Sequence, residues 1–267
     1  MRRSELLFES DGRPTSRFAM FLRDAGIPGD DLLSIDASLQ ARFFQKDAAG
    51  APRERWQLQE VEVACPRPRL MRHLRLCGFV DATIPQGWEY KRAGWPGALL
   101  PRASVRLQDL IDAWQSGVRW TENVVFGGKR PLQASETSIV GYLATELDMM
   151  RSVWFSKLMP DDMRALPLRL IDAPMKPPLK EGGPEVRPNT EDTVLHWLDT
   201  DNPEPGSMLL SSGAPYGMAQ DEAFAMLLIP RGHTVETFGH AAPADMAVEI
   251  LVREVAGCVN RIRRARA

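Results

Sequence analysis

The chain has 267 residues, of which 44 % are apolar and 25 % charged, with a formal net charge of −2 and a pI near 6.1. That balance suits a large globular α/β chain able to bury a full core, and it supplies no global positive field for nucleic acid or an acidic membrane. Three cysteines without metal-type spacing argue against a disulfide framework, and no apolar run suffices for a signal peptide or a bilayer span, so a cytoplasmic protein is expected.

Residues 1–65 read as an N-terminal extension packed on a main domain that occupies 66–267. Within the extension Phe18, Phe21, Leu22 and Ala25 recur at helical spacing, and Gly26 follows as a C-cap, which predicts a helix over Thr15–Ala25. A second helix is expected over Ser34–Phe44, and the alternation in Leu58–Ala64 suggests an edge strand.

From residue 73 onward a strand-then-helix rhythm repeats five times. Strands are expected at His73–Thr83, Asn123–Gly128, Leu168–Ala173, Ser207–Ala214 and Thr234–Gly239. The intervening helices are expected at Ser104–Ser116, Ala144–Lys157, Asn189–Leu198 and Met218–Leu228, with a last one from Asp245. Alternation of this kind implies right-handed crossovers, hence an α/β fold: a Rossmann-like three-layer sandwich with a mostly parallel sheet of five or more strands. Ligands bind such sheets beyond the carboxyl ends of the strands. Two proline-rich segments, Pro85–Pro101 and Pro174–Pro188, read as long loops placed to roof that crevice. In the first, Trp88 and Trp95 either stack on a ligand or pin the loop to the body; they also offer a surface to a protein partner.

Candidate residues cluster after these strands. Gly127 and Gly128 let the backbone approach a ligand, and Lys129 and Arg130 add positive charge, although no Walker loop or G-x-G-x-x-G is present. Asn189 or Thr190 caps the following helix, whose first-turn N–H groups, with Arg187 nearby, can face an anion. The cap alone also explains these residue types. Ser211, Ser212 and Tyr216 form a binding-loop composition, with Gln220 one turn on; the nucleophile pattern G-x-S-x-G is absent. Among ionisable groups, Glu146, Asp172 and His240 are the candidates for proton transfer, a carboxylate and an imidazole at neighbouring strand ends forming an acid–base pair. Each has a bland alternative as a cap or a solvated side chain. The four histidines lack ligand spacing, so no histidine-rich metal site is expected and no metal ligand is assigned, which leaves a single carboxylate-bound magnesium open.

The order of these pieces resembles the SanA/ElyC/YdcF-like family, a bacterial domain of largely undefined role. Its pattern is a helix like "ERL..AL.LY..G", a strand ending in two glycines, an "EA..M" helix, an "S-x-N-T-x-E-N" helix start and a strand ending near "TSAYHM.RA". Here Arg106–Leu107, Leu110 and Trp114–Gly117 precede NVVFGG, and Glu146 and Met149 stand as the second helix pair. Arg187, Asn189, Thr190 and Asp192 fall in the asparagine–threonine motif, and Ser211, Ser212, Tyr216, Met218 and Gln220 in the last. The likeness spans roughly residues 73–245. It departs where Gly78–Asp81 replaces the family's first glycine pair, Thr193 its second asparagine, Gly217 its histidine and Gln220 its arginine. The resemblance implies a Rossmann-like fold with a pocket for a nucleotide or S-adenosylmethionine-like ligand, without implying a known activity.

Two functions remain open at this point. One is an enzyme acting on a nucleotide-like, S-adenosylmethionine-like or other anionic metabolite, and the other is a noncatalytic ligand-sensing or protein-interaction module using the same fold.

Overall fold

The computed structural model describes residues 3–45, 53, 58–134, 136–137 and 143–267. The described part divides into two compact units. One comprises residues up to Ala82, Gly213–Glu222 and Ala241–Ala267; the other comprises Thr83–Ser212 and Ala223–His240.

The second unit holds a five-stranded, all-parallel sheet built from β1 (Glu89–Pro96), β2 (Arg119–Gly128), β3 (Leu168–Ala173), β4 (Ser207–Ser211) and β5 (Thr234–Phe238). The strand order is β3-β2-β1-β4-β5, so the chain starts in the centre, moves to one edge, and returns to build the other half beside β1. Helices α4 (Leu100–Gln115) and α5 (Glu146–Ser156) share one apolar cluster with the sheet, in which Trp95 of β1 stacks on Trp154 at 5.6 Å between ring centroids. Helix α7 (Thr190–Asp201) and the second half of α8 (Gly217–Leu228) share the other cluster, around Phe126, Trp197 and Phe224. Both faces of the sheet are therefore covered, as a Rossmann-like three-layer sandwich requires. A one-turn helix α6 (Asp161–Arg164) precedes β3.

The other unit is helical: α1 (Ser16–Asp24), α2 (Leu32–Phe43), α3 (Arg67–Leu76), the first turns of α8, and α9 (Val248–Arg266). Leu7, Phe18, Phe21, Ile35, Leu39, Leu74, Val252 and Val259 are among its core residues, and α2 packs against α9. That pair is also joined by a buried carboxylate, Asp36, which accepts from Arg263 Nε at 2.6 Å and Asn260 Nδ2 at 3.1 Å. Cys77 is buried in this core, and desolvation pushes its thiol up to about 12. The division into units cuts across the expected boundary at residue 65, because three separate chain segments build the helical unit.

Three sequence expectations fail. Residues 73–83 do not form a strand: α3 ends at Leu76, and Gly78 follows at φ +81°. Leu70, His73, Leu74 and Cys77 are buried at the i, i+3, i+4, i+7 spacing of a helix, a pattern that a window opening at His73 truncates. The first strand is instead β1, inside the segment expected to be a lid. Its two cations, glycine and proline conceal a central strand. Arg92 is buried, paired with Glu122 at 2.7 Å and 5.7 Å from the Trp197 ring centroid, while a Cβ on Gly94 would collide with the Val124 carbonyl of β2. Leu58–Ala64 forms no strand. The remaining strands and helices fall within a few residues of expectation.

Candidate functional site

In this strand order the chain reverses direction between β1 and β4, so the carboxyl ends of those strands flank the switch point at which doubly wound sheets take ligands. Helix α4 leaves β1 through Gly97–Leu99 and carries two charged residues on the face that otherwise buries Ala103, Leu107 and Leu110. Arg106, 2 % exposed, donates from Nη1 to the carbonyls of Pro96 at 2.8 Å and Gly97 at 3.1 Å. Its Nη2 donates to Ser212 Oγ at 3.2 Å. One guanidinium thus ties the loop after β1 to the residue after β4.

Asp109 lies one turn further along α4. Its Oδ2 accepts from Ser211 Oγ at 3.3 Å, from the His240 amide at 3.4 Å and from His240 Nδ1 at 2.8 Å. A carboxylate accepts only, so Nδ1 carries the proton in this arrangement and Nε2 of the neutral ring presents a lone pair. None of the described residues hydrogen-bonds that Nε2, and the His240 side chain keeps 26 % of its surface exposed. Local backbone geometry sets this up: Gly239 stands at φ +148° and exchanges backbone hydrogen bonds with Thr83 at 2.8 and 3.1 Å. The result is an oriented imidazole with one open nitrogen, the geometry of a general base.

A second polar group sits at the tips of β1 and β2. Arg130, directly after Gly128 and Lys129, is buried and makes a two-pronged pair with Glu136 at 2.9 and 3.2 Å. It also donates from Nε and Nη2 to Glu146 Oε1, both at 3.2 Å. The other oxygen, Glu146 Oε2, lies 2.5 Å from the place a Cβ on Gly97 would occupy, so the carboxylate rests on the bare backbone at the end of β1. The two acids respond oppositely to sharing one cation. Burial raises Glu146 above the ordinary glutamate value, and this outweighs the lowering by Arg130 and Arg187. For Glu136 burial is again the largest influence, but the bonds from Arg130, Gln133 and Leu100 together hold it below that value.

The structure places the other expected residues as follows. Gly127 and Gly128 end β2 under close neighbours: a Cβ on Gly127 would stand 2.9 Å from Leu147 Cδ1, and one on Gly128 2.8 Å from Pro188 Cγ. The latter contact brings the start of α7 to the β2 tip, with Asn189 as its N-cap in a reciprocal capping box with Asp192 and Thr190 as its first residue. Lys129 is exposed, and Asp192 is also paired with Lys176 at 2.6 Å. Arg187 is exposed and acts on Glu146. Asp172 is the second-last residue of β3, where its Oδ1 is buried without a hydrogen-bond partner among the described residues. It cannot pair with His240, because β3 and β5 are opposite edges of the sheet, roughly 19 Å apart at the usual strand spacing. The carboxylate that partners His240 comes instead from α4.

Ser211 and Ser212 are buried, and both hydroxyls are engaged as described. Tyr216 and Gln220 belong to the helical unit. Tyr216 is 1 % exposed in that unit's apolar cluster, and Gln220 Oε1 is buried without a partner among the described residues. Trp95 is a core residue of β1, and Trp88 precedes the amino end of that strand, where its exposed ring lies 3.7 Å from the place of a Cβ on Gly117. Neither can roof the carboxyl-end crevice. Reading the sequence alone missed Gly97, Asp109 and Glu136, and it assigned Arg106 only to a family likeness. Arg106 had a legible signal, a charge at a core position of an amphipathic helix; Asp109, at i+3 from it, shares that side.

No family model, no curated protein and no solved structure matches the chain.

Proposed function

We propose that the protein binds a small molecule at the carboxyl ends of its sheet strands and acts on it as an enzyme, with His240 as general base oriented by Asp109. The substrate class is the one read from the sequence: a nucleotide-like, S-adenosylmethionine-like or other anionic metabolite. The observation that carries this reading is the His240–Asp109 pair beside the β1–β4 switch, with Nε2 open to a reactant. Glu146, held protonated more readily than an ordinary glutamate, is the complementary acid at the neighbouring tip. Ser211 and Ser212 support the site by holding Asp109 and Arg106.

Likeness to the SanA/ElyC/YdcF-like family remains part of the proposal, with one adjustment. Because the first strand is β1, its glycine pair is to be sought at Pro96–Gly97 rather than at Gly78. Gly97 there is required by the Glu146 carboxylate. Three cysteines kept as buried free thiols support a cytoplasmic setting.

The test is thermal denaturation against nucleotides, S-adenosylmethionine, phosphate esters and small carboxylates. A ligand at 100 times its Kd stabilises by about 2.7 kcal/mol, a melting-temperature rise on the order of 5–10 °C for a chain of this size. The rise should shrink in His240→Ala. A panel without any shift, or a shift indifferent to His240 and Glu146, would remove the reading.

A further inference from the structure

We propose that Glu136 is a specificity-determining residue: its carboxylate is a built-in occupant of the amino terminus of α4 and bars a phosphate-bearing ligand from the tip of β1. The inference rests on the reading above, that a ligand binds at the carboxyl ends of the strands, and narrows what that ligand presents there.

In sheets of this strand order the turn between the first strand and its helix is the phosphate seat, since helix N–H groups and the dipole favour an anion. Here that seat is filled from within. Glu136, 2 % exposed, accepts four donors on its two oxygens: Leu100 N at 3.3 Å and Arg130 Nη2 at 3.2 Å on Oε1, Gln133 N at 2.9 Å and Arg130 Nη1 at 2.9 Å on Oε2. Leu100 is the first residue of α4, which has no side-chain N-cap of its own. A carboxylate with a helix N–H and a two-pronged arginine already has the partners that a phosphate would claim. Evicting it would strand a buried charge, which is far costlier than leaving it in place.

The surroundings compound the exclusion. Glu146 shares the same guanidinium and lays Oε2 on Gly97, so two carboxylates face one buried cation at the β1 tip. Arg187, exposed, also acts on Glu146 as a positive charge. An incoming phosphate would meet like charge from Glu136 and a site cation already engaged by two carboxyl groups. The group a ligand turns toward Gly97 is therefore uncharged or cationic, and any anionic part of it lies elsewhere on the rim.

Inorganic pyrophosphate is the probe. With the native chain, millimolar pyrophosphate should leave the melting temperature unchanged, and the amide resonances of Leu100 and Gln133 should not move in two-dimensional NMR. In Glu136→Gln, pyrophosphate should raise the melting temperature by a few degrees, and the added change Arg130→Gln should abolish that gain. Movement of the Leu100 and Gln133 amides in the native chain would overturn the proposal, as would a folded Glu136→Gln variant indifferent to pyrophosphate. Should Glu136→Gln fail to fold, the NMR titration of the native chain decides alone. Either failure is distinct from failure of the functional reading, which depends on the metabolite panel and on His240.

Discussion

Nδ1 of His240 lies 2.8 Å from Oδ2 of Asp109, coupling the residue that follows β5 to the middle of α4. The two are 131 positions apart in the chain, and the sheet order brings them together: α4 follows the central strand, whereas His240 follows an edge strand one position beyond β4. Ser211, at the end of the strand between them, donates to the same carboxylate oxygen. Three strand tips thus contribute to one imidazole.

Asp109→Asn should release the ring from its single tautomer. Nitrogen-15 spectra of the neutral ring in the native chain should show Nδ1 protonated and Nε2 bare, and the variant should give a mixture. Asp109→Ala, which also orphans the Ser211 hydroxyl, should cost about 1–3 kcal/mol in urea denaturation. A native ring already protonated on Nε2 would contradict the assigned role.

Gly97→Ala places a methyl group 2.5 Å from Glu146 Oε2, well inside contact distance. Overpacking of this sort costs about 1–3 kcal/mol. The double variant Gly97→Ala/Glu146→Ala should be less than additive, because removing the carboxylate makes room for the methyl. Full additivity of the two losses would show that the contact does not govern the site.

Arg106→Met removes the hydrogen bonds to Pro96, Gly97 and Ser212 while retaining the aliphatic stem. The buried Pro96 carbonyl and the partly buried Gly97 carbonyl lose a charged donor, so a loss of about 1–3 kcal/mol is expected. Arg106→Lys should restore only part of it, since a single ammonium cannot reproduce a fork that reaches both loops. Denaturation midpoints of the two variants provide the check.

The pH dependence of stability should separate the two acids on Arg130. Glu136 is held below its unfolded value, so its contribution is present above the ordinary glutamate range and is lost as pH falls through its folded value. Glu146 is raised, so its contribution is present below that range and is lost as pH rises through its folded value. Glu136→Gln should therefore flatten the acid arm of the stability profile, and Glu146→Gln should flatten the decline toward neutral pH. Urea midpoints measured between about pH 3 and 7 test both signs.

Much of this architecture was legible in the sequence because β2, β3 and β4 hold short apolar runs closed by glycine, serine or a polar residue, and β5 alternates before Gly239. β1 was not, since the partners that permit its Arg92 and Gly94, namely Glu122, Trp197 and a neighbouring strand's carbonyl, are distant in sequence. Site residues followed the same division. Glu146, Asn189 and His240 announce themselves by standing at element boundaries, where chain polarity alone predicts their placement. Asp109 and Glu136 do not, because their significance comes from what another strand or loop delivers to them. Arg130 was recognised as a charge near a strand tip, but only tertiary structure reveals the two carboxylates that hold it.

The most direct measurement is amide chemical-shift mapping of the native chain with whichever metabolite raises its melting temperature. Shifts gathered at Gly97, Ser211, Ser212 and His240 would match a ligand seated at the carboxyl ends of β1, β4 and β5. Shifts gathered instead around Trp88, Gly117 and Arg119, at the opposite ends of the strands, would contradict it.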